Sequence, residues 1–349
     1  MIYLVHLSNK LFFSVEFHYK NLFGINSNQN FYILTRKILC LTSSLEIKLK
    51  NFLNLYWLRP ENGLITPFKS KAFENLKFES PSLDLSCGDG MFMAIHLGAI
   101  FEDDFDYFKS TKASDFSHSK MVDIYDDFDE NYTAKFLKKP NMKIDYGTDW
   151  KQSLLDKAEK LDLYKNLILH DNNELPLPFE DNYFKSIYSN SVYWVKQPEK
   201  LVEDIYRITN PSGMCSLEVL TPHRYEILNQ LEDILSPTAI SILDRKRREN
   251  TPGLKEFSEW KEIMKNAGFE IVEVKSVYPH KILMDIWNIG LRPISHLLIQ
   301  MSDSLEPEKR KKIKNEWVEI FYELFKPLLI MKESYTLENA PYLSFLLKK

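Results

Sequence analysis

The sequence predicts an α/β fold: a doubly wound, mostly parallel sheet, preceded by a helical lead-in and followed by a helical cap. Three observations carry the prediction. Strand-like runs alternate with helix-like runs from about residue 80 to residue 280, and alternation at that pitch implies right-handed crossovers with helices on both faces of the sheet. Apolar residues make up 44% of the 349 and charged residues 27%, enough for a real core and too apolar for a disordered chain. Glycine is scarce, 10 residues, yet Gly88 and Gly90 stand together where the first strand would hand over to a helix.

The elements follow in order. Residues 1–80 form the lead-in, where Leu45, Leu49, Phe52, Leu53 and Tyr56 make a helical stripe. Thr42, Ser43 or Ser44 would cap it, and Arg59-Pro60 would end it because a proline disfavours helix at the preceding residue. ITPFKSKAFENLKFESP then reads as a linker. SLDLSCGDG is a short strand running into a glycine turn, and MFMAIHLGAIF the following helix. Residues 101–142 break the rhythm: ten acids and three lysines lie between Glu102 and Glu130, interleaved with Phe105, Tyr107, Phe108, Tyr125 and Phe128. So long an irregular stretch inside a domain reads as a lid or binding loop, with the aromatic residues as a wall over a substrate.

Beyond the insert, MKIDYGTD, NLILHD, FKSIYSNS, MCSLEVLTP and EIVEVKSVYP read as strands, and APYLSFLLKK as a last, seventh strand. WKQSLLDKAEKLDLY, PEKLVEDIYRIT and EFSEWKEIMKNAGF read as helices, the last with a glycine C-cap, and PSG as a turn. Residues 281–349 form the cap, two long helical stretches around a Ser-rich turn before the final strand. The core domain is thus residues 81–280.

Composition narrows the function. Lys+Arg total 45 against Asp+Glu 49, a net charge of −4, so there is no global basic field to attract nucleic acid. Three scattered cysteines, Cys40, Cys87 and Cys215, give neither a disulfide framework nor paired metal spacing and point to a reducing cytoplasm. The first 20 residues make a poor signal peptide, and no window holds 18 uninterrupted apolar residues. Asp123, Asp126, Asp127 and Asp129 lack the spacing of a calcium loop, so no metal is expected.

A strand-to-helix turn offers free amides, and glycine lets a ligand approach its backbone. A nicotinamide or flavin site would want a third glycine where Met93 stands and an acid about 20 residues on; here the next strand-end acid is Asp149, 59 residues past Gly90. Both departures weigh against a dehydrogenase.

SLDLSCGDG resembles instead the first motif of class I S-adenosylmethionine-dependent methyltransferases, with Asp84, Gly88 and Gly90 matching it. Ser86 replaces the motif's first glycine, which asks for a negative φ there or a tolerated strain. YGTDW is similar to the second-strand motif, LILHDNNELPLPFED to the third-strand motif of the small-molecule (type 11-like) branch, and the remaining strands and helices follow in the family's order. The resemblance implies a Rossmann-like seven-stranded fold, S-adenosyl-L-methionine as cofactor, Asp149 as the ribose-binding acid and Asp171 as the acid holding the adenine amino group. The chemistry agrees: a carboxylate accepts both hydrogen bonds of a vicinal diol. Trp150 either lies on the adenine or is an ordinary core or surface tryptophan. Asp171 with Asn172 either reads the adenine or caps a turn. Asp84 orders the turn and reaches the methionine amine through water, and Ser189 either lines the donor or is structural.

In an open parallel sheet the acceptor meets the loops beyond the strands' carboxyl ends. Asn190 and Tyr193 are candidates to orient it. His223 is the first candidate for a general base, with His118 in the insert second; His170 reads as packing. Methyl transfer is an in-line displacement needing alignment and exclusion of water, so a base is optional. The runs RKRR at 245–248 and KRKK at 309–312 are solvated helix faces or a seat for an anionic partner, such as a phosphate-bearing lipid. Residues 285–335, with Trp287, are a candidate for peripheral membrane contact, though core packing explains them better. The sequence therefore predicts a cytoplasmic methyltransferase acting on a small-molecule, glycan or lipid acceptor, with oxygen as the methylated atom. The rivals are a non-catalytic interaction protein with the same fold and a nicotinamide oxidoreductase.

Overall fold

The strand-like runs of the sequence assemble into one seven-stranded sheet in the computed structural model, which describes residues 44–109, 132–245 and 247–349. Apart from Ser44 these residues fall in Leu45–Lys349, one of the two units into which the chain divides. The strands are β1 (Ser82–Leu85), β2 (Ile100–Phe101), β3 (Phe136–Lys138), β4 (Ile144–Asp149), β5 (Tyr164–Leu169), β6 (Phe184–Ser189), β7 (Thr209–Leu220), β8 (Glu270–Ser276) and β9 (Tyr342–Lys348). Those of the large sheet lie in the order β5-β4-β1-β6-β7-β9-β8. The pairs among β5, β4, β1, β6 and β7 are parallel, and β9 runs antiparallel to both β7 and β8. The expected doubly wound, mostly parallel sheet is what forms.

Local chemistry explains the elements. Helices cover the sheet, so central strands are buried on both faces: every residue of β1 is buried, as is the second half of β7. The helix Pro198–Ile208 starts with proline at its first turn, where no amide is missed, and buries Leu201, Val202, Ile205 and Ile208 on one stripe. The helix Phe257–Asn266 has a capping box between Glu256 and Glu259 and buries Trp260 and Met264. The predicted glycine C-cap after it is Gly268, with φ of 105°. The PSG turn appears as a bulge inside β7, between the pairings Phe184–Thr209 and Ser186–Met214.

Two expectations need correction. ITPFKSKAFENLKFESP is not simply a linker: Pro60–Ala72 is a helix that follows directly on the one spanning residues 44–55. Pro60 begins it at a position that needs no amide donor. Pro67, inside it, deprives Gly63 of a partner, while the Thr66 hydroxyl donates to the Asn62 carbonyl at 2.5 Å. Secondly, the ends of the 101–142 insert are not irregular, because β2 and β3 pair as a small antiparallel ladder. Phe105, Tyr107 and Phe108 are buried there, whereas Tyr125, Phe128, His118 and the four acids tested for calcium spacing lie outside the described residues.

The C-terminal helices are bolted to this base. Lys314, 1% exposed, donates from Nζ to Asn54 Oδ1 at 2.5 Å and to the carbonyls of Asp103 at 2.7 Å and Phe105 at 2.6 Å, and burial pulls its pKa down to about 8. Arg310, from the second basic run, pairs with Asp106 at 2.5 Å and stacks on Trp57. That arginine is not part of a solvated face, although Lys309, Lys311 and Lys312 are exposed. Trp287 is buried, as core packing requires. Among the described residues no helix is long and apolar enough to cross a membrane.

Candidate active site

The site forms where β1, β4 and β6 end, at the point where the strand order reverses about β1. After β1 the chain takes three positive φ angles, 65° at Ser86, 59° at Gly88 and 74° at Gly90. The two glycines serve different purposes. A Cβ on Gly90 would stand 2.9 Å from the Tyr164 ring and 3.0 Å from Leu161, so this glycine allows close packing. A Cβ on Gly88 would meet nothing within 4 Å, so its backbone borders open space that a ligand can occupy. Of the two outcomes open for Ser86, the structure takes the strained one: its backbone is left-handed, and its hydroxyl accepts from Asn172 Nδ2 at 2.8 Å.

Asp149, at the end of β4, locks this turn to the neighbouring strand. Its Oδ2 accepts the Gly88 amide and its Oδ1 the Lys151 amide, each at 3.0 Å. The carboxylate is 5% exposed, and burial raises its pKa above the usual carboxylate value. Asp84 lies beneath the turn, 3% exposed, with Tyr164 donating to its Oδ2 at 2.6 Å. Burial pushes the Asp84 pKa up to about 7. Cys87 packs under the same turn, and burial raises its thiol pKa well above normal.

A cleft of about 450 Å³ opens beside the turn, within the range of small-molecule sites. Ser86, Asp149, Trp150, Asp171, Asn172 and Asn190 line it, bringing together six of the residues that the sequence singles out. Gly88 touches it through Asp149. Asp84, Gly90, Ser189, Tyr193 and His223 do not line it. Ser189 is fully buried against Ser191 at 3.1 Å, and Tyr193 is buried edge-on to Tyr342. His223 sits on the turn after β7 and pairs with Glu256 at 3.4 Å, at the N-cap of the helix Phe257–Asn266.

Sequence reasoning missed Lys151, Asn173 and Trp194 in the lining and read His170 as packing. Two buried atoms in this wall have no hydrogen-bond partner, His170 Nε2 and Asn172 Oδ1. A buried acceptor left open costs about 1–3 kcal/mol unless a ligand fills it. An open backbone at Gly88, a carboxylate, an unmet amide oxygen and the exposed Trp150 ring fit a nucleoside: diol on Asp149, exocyclic amine on Asn172 or Asp171, ring on Trp150.

A second group of polar residues lies beyond β6 and β7. The guanidinium carbons of Arg224, Arg292 and Arg247 stand 4.1, 4.9 and 5.5 Å from the centre of the Trp287 ring. Arg247 is also 4.9 Å from the centre of Trp194, which lines the cleft. With all three on one ring, no two can be more than about 10 Å apart, where unit charges repel by about 1.7 kcal/mol at an effective dielectric of 20. Among the described residues no carboxylate forms an ion pair with any of the three; Glu61 pairs with Arg59 and Glu232 with Arg248. Burial first, and then the neighbouring arginines, pulls the Arg292 pKa down to about 9. Arg247, in the RKRR run, is therefore not on a solvated face.

Residues 131–217 match the family described as Methyltransferase domain. Among curated proteins none matches the chain. Among solved structures it is similar to an S-adenosylmethionine-dependent methyltransferase from Mesorhizobium loti, at 12% identity over 83% of this chain and 100% of that one, with a TM-score of 0.43. It is also similar to one from Thermotoga maritima, at 14% identity over 84% of this chain and 93% of that one, again with a TM-score of 0.43. The matched segment, which is similar to a methyltransferase domain, spans β4, β5 and β6, whose carboxyl ends border the cleft, and most of β7.

Proposed function

We propose that the chain binds S-adenosylmethionine in the cleft beside Gly88 and transfers its methyl group to a small-molecule, glycan or lipid acceptor, at oxygen. The observation that carries this reading is the convergence of Ser86, Asp149 and Asn172 on one cleft at the carboxyl ends of β1, β4 and β5, with the Gly88 amide held by Asp149. The donor supplies an electrophilic methyl group on a sulfonium. Asp149 holds the ribose with the lone pairs left free by the Gly88 and Lys151 amides, and Asp171 with Asn172 holds the adenine. Asp84 acts from below, setting the turn through Tyr164 rather than touching ligand directly. Asn190, in the lining, orients the acceptor. Tyr193 would meet the acceptor on the arginine side, and His223 could reach it as a base only by leaving Glu256.

Incubating cell extracts with the protein and a deuterated-methyl donor should yield products heavier by one labelled methyl group. A melting temperature raised by S-adenosylhomocysteine and not by NAD supports the donor assignment; no rise with either sinks it. A non-catalytic role would show as donor binding without any labelled product.

Peripheral membrane contact through residues 285–335 is part of the same proposal. Ile289, Ile294, Leu297, Met301, Ile320 and Leu324 are exposed there, an unusual concentration for side chains with no polar atoms. Flotation with liposomes tests it, and protein left entirely in the soluble fraction dismisses it.

A further inference from the structure

We infer that Arg224, Arg247 and Arg292, gathered on Trp287 beside Trp194, receive a phosphate group carried by the methyl acceptor, so that the substrate is a phosphate ester. This deepens the methyl-transfer reading and rests on it. The argument starts from unmet hydrogen bonding. Arg224 is 3% exposed and Arg292 8%, yet Nε of Arg224 and Nε of Arg247 are buried without a partner. The rings of Tyr278 and Tyr342, 5.7 Å apart, are buried beside them. Arg224 also meets the Met284 sulfur at 3.7 Å, the face of Trp287 and the Tyr278 hydroxyl. Arg292 is held in place, donating from Nη1 to the carbonyls of Leu243 at 2.9 Å and Asp244 at 3.0 Å.

The buried Glu218 and the half-buried Lys69 lie nearby, but Glu218 forms no ion pair with the three arginines, and a purely structural stack of arginines on tryptophan would not need to leave those nitrogens empty. An oxyanion fills them. The Nε–Nη edge of a guanidinium is the fork that grips such a group with two parallel hydrogen bonds. The charge favours phosphate over carboxylate, because a phosphate monoester carries about −1.5 to −2 and three strong acceptor oxygens. Place matters too. Arg224 sits on the turn just after β7 and Trp194 just after β6, the ends that face an acceptor. Trp194 belongs to both groups, so an anion held by Arg247 is one indole ring away from the donor cleft.

The test is thermal melting of the full chain with S-adenosylhomocysteine and, separately, with inorganic phosphate against chloride at matched ionic strength. Phosphate at about 20 times its Kd should raise the melting temperature of the wild type by about 2–3 °C. Arg247→Met should abolish that rise while keeping the S-adenosylhomocysteine rise. It should melt no lower than wild type without phosphate, since it loses a repelling charge; Arg224→Met should behave alike. An S-adenosylhomocysteine rise with no phosphate rise overturns this inference alone, as does a phosphate rise that survives in both variants. A phosphate rise without one from S-adenosylhomocysteine overturns the methyl-transfer reading and the acceptor role together. Two further arms separate the sources: a rise with glycerol 3-phosphate marks a soluble ester, and co-flotation with phosphatidylglycerol vesicles that Arg247→Met abolishes marks a phospholipid. Failure of both, with inorganic phosphate still bound, leaves an adventitious ion only and overturns the acceptor assignment.

Discussion

Replacing Asp84 with asparagine removes a buried titration and should change the pH dependence of stability by a calculable amount. Asp84 is enclosed, and burial holds its pKa near 7 against 3.8 for the free side chain. A carboxyl group with a raised native pKa contributes stability that is complete below the unfolded value and is lost as pH rises through the native one. A tenfold change in proton affinity is worth about 1.4 kcal/mol, so the wild type forfeits about 4 kcal/mol between pH 4 and pH 8 through this one residue. Asparagine keeps the shape and an oxygen for the Tyr164 hydroxyl but does not titrate. Urea unfolding of both proteins should therefore show the Asp84→Asn variant gaining about 3 kcal/mol on the wild type between pH 5 and pH 8. Parallel stability curves over that range would refute the claim that Asp84 is held neutral by its enclosure. S-adenosylhomocysteine should still bind the variant, since Asp84 lies outside the cleft lining.

The other expectations follow from the same geometry. Asp149→Ala should weaken S-adenosylhomocysteine binding at least about tenfold by calorimetry, because the ribose loses its acceptor and the Gly88 amide its anchor; equal binding would remove the residue from the site. Gly88→Ala should cost about 1–2 kcal/mol of stability for its left-handed backbone and weaken donor binding. Gly90→Ala should cost more, because its methyl group also strikes Tyr164 and Leu161; the reverse order in thermal melts would contradict this assignment of the two glycines. Lys314→Met should lower the melting temperature by several degrees, since three buried acceptors lose their donor at once, and an unchanged melt would show the anchor to be dispensable.

Most of the sheet was legible because its signals are local. A run such as FKSIYSNS declares a strand by its own residues, and a glycine pair after SLDLSC declares a tight turn. The third-strand loop was equally readable: Asp171 and Asn172 are in the lining. What escaped was long-range. Nothing near ITPFKSKA announces a helix, because its stability comes from burying Leu64, Ile65 and Phe68 against partners distant in sequence. Arg247 reads as a surface charge in RKRR, and only Trp287, 40 residues later, gathers it with Arg224 and Arg292 into a cluster. His223 illustrates the opposite hazard. It stands one residue from Arg224 at a suggestive strand end, yet the fold turns it to the Glu256 carboxylate.

The placement of β9 has a consequence for how the molecule is made. β7 and β8 are not neighbours; they are joined through β9, whose Ser344 sits within reach of Ser216, 128 residues earlier. During synthesis the inner half of the sheet can assemble as it leaves the ribosome, but β8 emerges with no strand to dock on. Until Tyr342–Lys348 arrives, the facing main-chain edges of β7 and β8 both stay open to strands from other chains. A nascent chain stalled before Tyr342 is thus especially exposed to aggregation, although its cleft, at the ends of β1, β4, β5 and β6, would already be complete.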